Sequence, residues 1–204
     1  MELHEALRQI DAIRTQVTRT EVFRGYKAAT VAGTGLLALA VATLQPMLVP
    51  DPRNELGRYL LLWIGVAAVS VAMVATELTR RWLRTDSPLA RQQTLRAIEQ
   101  FAPCMLAGAA GTWAIAWQLP EAAAALPGLW AIVFSLGVFA SWRQLTPLAL
   151  ALAVYYLAAG TACIALSHGE SAFSPWAMAG TFGVGQLLTA AVLHLTLEGQ
   201  HGQA

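Results

Sequence analysis

The stretch Ala28–Val49, AATVAGTGLLALAVATLQPMLV, contains no Asp, Glu, Lys or Arg. A helix rises about 1.5 Å per residue, so a segment of this length crosses a hydrocarbon core of about 30 Å. It reads as a membrane span, and the chain around it has the matching composition. Of 204 residues, 56% are hydrophobic and 12% charged, and the mean hydropathy is +0.52. Such a balance belongs to a membrane protein. Further apolar stretches of about the same length lie at 58–77, 103–119, 127–142, 147–166 and 175–195. The third and fourth are the shortest, but a single long helix through both would have to accommodate Pro120 and Pro127, each lacking a backbone donor. The expected fold is therefore all-α and polytopic: six transmembrane helices in three hairpins within residues 27–197. A cytoplasmic amphipathic helix over 1–26 precedes them, and a short cytoplasmic tail, 198–204, follows.

Charge fixes the expected orientation. The segments that lie inside when the N-terminus is inside hold Arg8, Arg14, Arg19, Arg24 and Lys27, then Arg80, Arg81, Arg84, Arg91 and Arg96, then Arg143, eleven of the 13 basic residues. Only Arg53 and Arg58 fall on the other side. By the positive-inside rule both termini are expected in the cytoplasm. The charged opening lacks the short apolar core of a cleavable leader, so the first span reads as an uncleaved anchor. All three outer connections, near 50–57, 120–126 and 167–174, are short. The two cysteines, Cys104 near the inner start of the third span and Cys163 in the outer half of the fifth, are expected too far apart in depth to pair.

Short strings recur along the spans. Ala32-Gly33-Thr34, Ala110-Gly111-Thr112 and Ala159-Gly160-Thr161 occupy the odd spans, and Gly65-Val66, Gly137-Val138 and Gly183-Val184 the even ones. A threefold hairpin duplication and simple coincidence among abundant small residues both account for them. In lipid, helices associate by close packing, so small residues four apart mark contact faces. Ala29 with Gly33, Ala107 with Gly111, and Ala179 with Gly183 are the candidates.

No Asp, Glu, Lys or Arg lies near the middle of any span, whereas proton relays, ion-coupled pumps and voltage sensors need ionisable groups at depth. Phosphate loops, nucleophile elbows, HExxH and CxxC motifs are absent too, so the chain is expected not to be an enzyme and to carry no catalytic, cofactor-binding or metal residues. Hydroxyls and amides at depth remain. Thr112, Thr161, Thr181 and Gln186 form a candidate polar path, set against the commoner role of such hydroxyls, which is bonding to the carbonyl four residues back. Gln186, on a helix with Gly180, Gly183 and Gly185, is the strongest member. The four histidines lack the i, i+4 spacing of a helical metal site, and His194 stands four residues before Glu198, as in an interfacial ion pair. Glu77, with Arg80 and Arg81 three and four residues on, reads as a local salt-bridged cluster. Trp63, Trp130, Trp142 and Trp176 lie toward span ends, as an aromatic belt would place them.

Two cytoplasmic helices complete the reading. Leu3, Leu7, Ile10, Ile13 and Val17 line one face of an amphipathic helix, which can lie on anionic lipid, pack on the bundle or dock a partner. Asp86-Ser87-Pro88 announces a second helix over 88–101 that runs through Leu95, Ile98 and Phe101 into the third span, with a kink expected at Pro103. Its arginines suit acidic headgroups, and nucleic acid is not implied.

The strings LPGLWAIVFSLGVFASWR (Leu126–Arg143) and SPWAMAGTFGVGQLLTAAVLH (Ser174–His194), after the opening LHEALRQIDAIR, resemble a group of uncharacterised bacterial six-helix inner-membrane proteins. The resemblance covers most of the chain and implies a bacterial inner-membrane location, with no activity, cofactor or binding residue attached. The functional expectation is a non-enzymatic interaction or regulatory component with the lipid bilayer, a cytoplasmic protein or a second copy as partner. A small transporter or channel for a neutral solute is the alternative.

Overall fold

The computed structural model describes residues 27–84, 88–142 and 148–198. The candidate docking face Leu3, Leu7, Ile10, Ile13 and Val17 lies outside the described residues. All regular structure among the described residues is helical. Helix α1 spans Ala28–Leu48 and carries Pro46 within its last turn, where the Val49 N–H still reaches the Gln45 carbonyl at 2.8 Å. The chain reverses in a tight turn: the Glu55 N–H bonds the Asp51 carbonyl at 2.9 Å and the Asn54 amide donates to the Asp51 carboxylate at 2.7 Å. Those bonds from Asn54 hold the exposed Asp51 carboxyl below its ordinary pKa. Helix α2 then runs 29 residues, Leu56–Arg84, and α3 runs 31, Pro88–Gln118, with Pro103 inside it.

Beyond α3 the two prolines act as the sequence suggests. The helix stops, a 3₁₀ turn covers Pro120–Ala125, and α4 begins at Leu126 and ends at Ser141. Helix α5 is Ala149–Leu166. The sixth helix, α6, is composite: an α turn at Pro175–Met178, a π-helical stretch at Ala179–Val184, α again at Gly185–Leu193, and a second π stretch at His194–Glu198. Five helical segments are long and apolar enough to cross a membrane: Ala28–Leu48, Leu56–Arg84, Pro120–Ser141, Ala149–Leu166 and Pro175–Thr196. Helix α3 is longer than any of these, but Arg91, Arg96 and Glu99 occupy its first half and leave an apolar run only from Phe101 onward.

The most extensive packing joins α1 to α6 and α4 to α5, so the tightest pairs include helices far apart in the chain. Glycine makes both approaches possible. A Cβ at Gly160 would lie 2.7 Å from the Gly128 carbonyl oxygen, and one at Gly35 would lie 2.9 Å from the Gly183 carbonyl oxygen. Each distance is too short for any side chain, so α4 meets α5, and α1 meets α6, backbone to backbone. Helices α2 and α3 touch each other far less. Of the small-residue faces expected from sequence, Gly183 meets Leu39 of α1, Gly111 meets Leu129 of α4 and Gly33 meets the end of Met73 on α2.

The centre of the bundle is filled by aromatic rings. Phe134 of α4 lies edge-on to Phe101 of α3 at 5.2 Å and to Phe182 of α6 at 5.8 Å, and its centroid is 4.7 Å from that of Tyr156 on α5. Gly137 and Gly185 make room for them: a Cβ would come within 2.7 Å of the Phe101 ring at the first position and 2.6 Å of the Tyr156 ring at the second. Edge-to-face rings packed against bare backbone make close dispersion contact.

At one end of the bundle the connections 50–55, 119–125 and 167–174 come together. Val49, Tyr59, Ala123, Leu126, Phe173 and Met178 form one buried cluster there. The opposite end holds Lys27 and Glu77, whose ammonium and carboxylate lie 2.8 Å apart and link the start of α1 to the far end of α2. Glu77, expected in a cluster with arginines on its own helix, thus has a partner on another helix.

Candidate functional site

The most elaborate polar arrangement lies at the connection end and begins with Gln45 on α1. Its side chain is only 2% exposed, in a span otherwise without amides or charges. Burying an amide in an apolar medium is costly unless both its ends are bonded. Both are: Nε2 donates to the Phe173 carbonyl at 2.8 Å, and Oε1 accepts from the Trp63 indole at 3.0 Å. Phe173 adopts φ 60°, a left-handed conformation that favours glycine, and its ring stands edge-on to Tyr59 at 4.9 Å. Arg53, from the α1–α2 turn, donates to the carbonyl of Gly169 in the α5–α6 loop. One loop is thereby strapped across the ends of α1 and α2 by a side-chain amide, a guanidinium and an aromatic ring. The buried hydroxyl of Tyr59 has no hydrogen-bond partner among the described residues.

Trp63 is therefore not part of an interfacial belt. It is 1% exposed, because its face of α2 is the one that turns toward Gln45. Trp130 also departs from the belt reading, since its indole donates to the Thr112 hydroxyl at 2.7 Å. Trp176, 74% exposed, remains on the outer surface, as does Trp142. The signal that would have revealed the Gln45 centre was in the sequence: a lone amide in an uncharged span, one residue before Pro46. An amide there has no water to bond and must find protein partners.

The four residues of the candidate polar path are placed as follows. Thr112 is buried in α3 and donates to the Gly108 carbonyl at 2.7 Å while accepting from Trp130. Thr181 is buried in α6 and donates to the Ala177 carbonyl at 2.7 Å. Gln186, half-buried on the same helix, lies with its Cβ against Gly35 of α1. Thr161 is on the exposed side of α5 and donates to the Leu157 carbonyl at 2.8 Å. Thr181 and Gln186 share the α1–α6 contact region, while Thr112 belongs to the α3–α4 pair and Thr161 to the outer surface. The three threonine hydroxyls close on carbonyls of their own helices.

Cys104 and Cys163 are both free thiols. The Cys163 thiol points at the Ala177 carbonyl, 3.8 Å away. His168 lies in the α5–α6 loop with Nδ1 3.1 Å from the Ala165 carbonyl. No three of the His, Cys, Asp and Glu side chains among the described residues gather where a metal ion would sit. The arrangement at the connection end orders a loop and holds helices in register, through the Gln45 amide, the Trp63 indole and the exposed Arg53 guanidinium.

These features define an all-helical protein with several helices suited to spanning a membrane. Compared with protein-family models, with curated proteins and with solved structures, the chain finds no match in any of the three.

Proposed function

We propose that the chain is a six-span bacterial inner-membrane protein with both termini in the cytoplasm, acting as a non-enzymatic interaction or regulatory component. Two kinds of support bear on topology. Eleven basic residues fall on the proposed inner side. In addition, Ala123 and Phe173, from two of the proposed outer connections, share one buried cluster, and Leu56 of the third packs against it. If α2 leaves that end, α3 must return to it, and so passes through the same depth as α2.

The observation that carries the functional reading is the close packing between the helices. Glycines bring backbones into contact, rings of Phe101, Phe134, Tyr156 and Phe182 fill the middle, and the buried hydroxyls of Thr34, Ser135 and Thr181 bond carbonyls of their own helices. A bundle built this way offers its function at its ends, above all in the two cytoplasmic segments 1–26 and 88–101. The test is purification in mild detergent followed by mass spectrometry of whatever accompanies the protein. A stoichiometric protein that is lost on Leu7→Asp or Ile10→Asp, with the bundle still monodisperse, supports the reading. A co-purifying neutral solute whose flux in vesicles falls with Gln186→Leu would replace it by the transport alternative.

A further inference from the structure

Tyr59 combines two properties that seldom meet. Its side chain is wholly enclosed, at 0% exposure, yet its hydroxyl has no hydrogen-bond partner among the described residues. A buried phenol ordinarily finds an acceptor for its O–H, and about nine in ten buried polar groups are bonded to protein or to ordered water. Lipid cannot supply the partner, because the ring lies within the cluster that includes Val49, Ala123, Phe173 and Met178. Tyr156, a second wholly enclosed phenol with an unbonded hydroxyl, has the Thr189 hydroxyl beside it. Thr189 commits its proton to the Gly185 carbonyl at 2.8 Å and keeps lone pairs for Tyr156. Tyr59 has no such hydroxyl beside it among the described residues.

What does stand near Tyr59 is the Cys163 thiol of α5, within electrostatic reach but not bonded to it. That thiol points at the Ala177 carbonyl of α6, 3.8 Å from the sulfur, so the sulfur lone pairs remain open to a donor. Tyr59 thus offers a proton and Cys163 an acceptor, with no direct bond between them. A water molecule completes such a pair, accepting from one group and donating to the other. The donors then run in one direction, from phenol to water, water to thiol and thiol to carbonyl, and bonds in series polarise one another. Tyr155, also within reach of Cys163, does not compete, because its own proton goes to the Gly180 carbonyl. Bulk water is close by: Tyr59 belongs to the first turn of α2, next to the exposed residues Asp51, Arg53 and Asn54.

We propose that one water molecule is bound beneath the 167–174 loop, held between the Tyr59 hydroxyl of α2 and the Cys163 thiol of α5. It ties α2 to the α5–α6 hairpin at the end of the bundle where Gln45 and Arg53 hold the loop. The site stands independently of the proposed function, because it rests only on the buried hydroxyl and its surroundings.

Water-edited solid-state NMR of the full chain in lipid, with tyrosine isotope-labelled at the hydroxyl-bearing carbon, reads the site directly. The signals of the four tyrosines are assigned by replacing Tyr26, Tyr155 and Tyr156 in turn by Phe. Tyr59 should receive polarisation from water and Tyr156 none. Cys163→Val, close in volume, removes the acceptor and should abolish the transfer to Tyr59. Stability gives a second readout through its sign. Tyr59→Phe keeps the ring and its edge-on contact with Phe173 at 4.9 Å, and losing a water-bonded hydroxyl should lower the melting temperature by about 3 °C. Removing a dry, unbonded hydroxyl would instead leave the melting temperature unchanged or raise it. Should Tyr59→Phe not fold, the transfer measured on the wild-type chain decides. No transfer to Tyr59, undiminished transfer in Cys163→Val, or a Tyr59→Phe protein that melts at or above the wild-type temperature would each overturn the site.

Discussion

Helices α2 and α6 invert the rule of soluble proteins. The most hydrophobic span window, in α2 with mean hydropathy 2.1, is the least buried, at 11% of its residues; the window in α6 has the lowest mean hydropathy, 1.4, and 39% of it is buried. In water apolar side chains go inside, but lipid solvates them as well as a protein core does, so apolarity no longer drives them inward. What takes an inner place is whatever lipid cannot satisfy or crowd: glycine, small hydroxyls, a lone amide. Helix α6 supplies Gly183, Gly185 and Thr181 to the interior, whereas α2 presents Leu61, Ile64, Val69 and Val71 outward and turns in chiefly Tyr59, Trp63 and Leu78.

The contrast breaks most sharply at the glycine crossings. Gly160→Leu should cost about 3 kcal/mol in reversible unfolding in detergent, because the new side chain meets the Gly128 backbone and cannot be absorbed by a rotamer change. Gly65→Leu on α2, where nothing lies within 4 Å, should change stability by less than about 0.5 kcal/mol. Equal costs at the two positions would mean that α2 is as tightly enclosed as α5.

Gln45→Leu comes next. It leaves the Trp63 indole and the Phe173 carbonyl without partners at the connection end, and about 2 kcal/mol of destabilisation is expected. Faster proteolysis within the 167–174 loop should accompany it, since that loop loses one of its straps. Replacing both partners, Gln45→Leu with Trp63→Phe, should recover part of the loss, as a matched apolar pair leaves fewer orphaned groups. Gln45→Leu with unchanged stability would show that the amide contributes nothing to loop order.

A smaller effect is expected at the other end. Glu77 is 19% exposed and Lys27 is 61% exposed, so Glu77→Gln should cost about 0.5 kcal/mol and less at high salt. The smallest is at the turn. Asp51 has its pKa lowered by the Asn54 bonds, so the turn is fully supported above the ordinary carboxylate pKa and loses that support as pH falls through the folded value. Asn54→Ala should raise the Asp51 pKa, read by titration of the carboxyl carbon resonance.

The helical membrane class was legible in residues 28–49 alone, because length and absence of charge suffice for it. The stops at Pro120 and Pro127 were legible too, since proline acts through local geometry. Which helices pair was not. Gly35 meeting Gly183 and Gly128 meeting Gly160 are contacts between distant segments, and the repeating small-residue strings did not rank them above Gly33 or Gly111. Trp63 was misplaced for a related reason: the preference of indole for the interface is a statistical trend that one buried amide partner overrides. The π stretch of α6 had no readable signal, because Gly180 and Gly183 look like packing glycines whether or not the helix widens between them.

The proposed six passes, with the three connections gathered on the outer face, can be probed by side-specific thiol labelling of intact spheroplasts. Single cysteines at Asn54, Glu121 and Glu170, in a background lacking Cys104 and Cys163, should all react with a membrane-impermeant maleimide from outside, and one at Gln93 should react only after the membrane is opened. Labelling of Gln93 from outside, or protection of Glu121 while Asn54 reacts, would contradict the six-span arrangement.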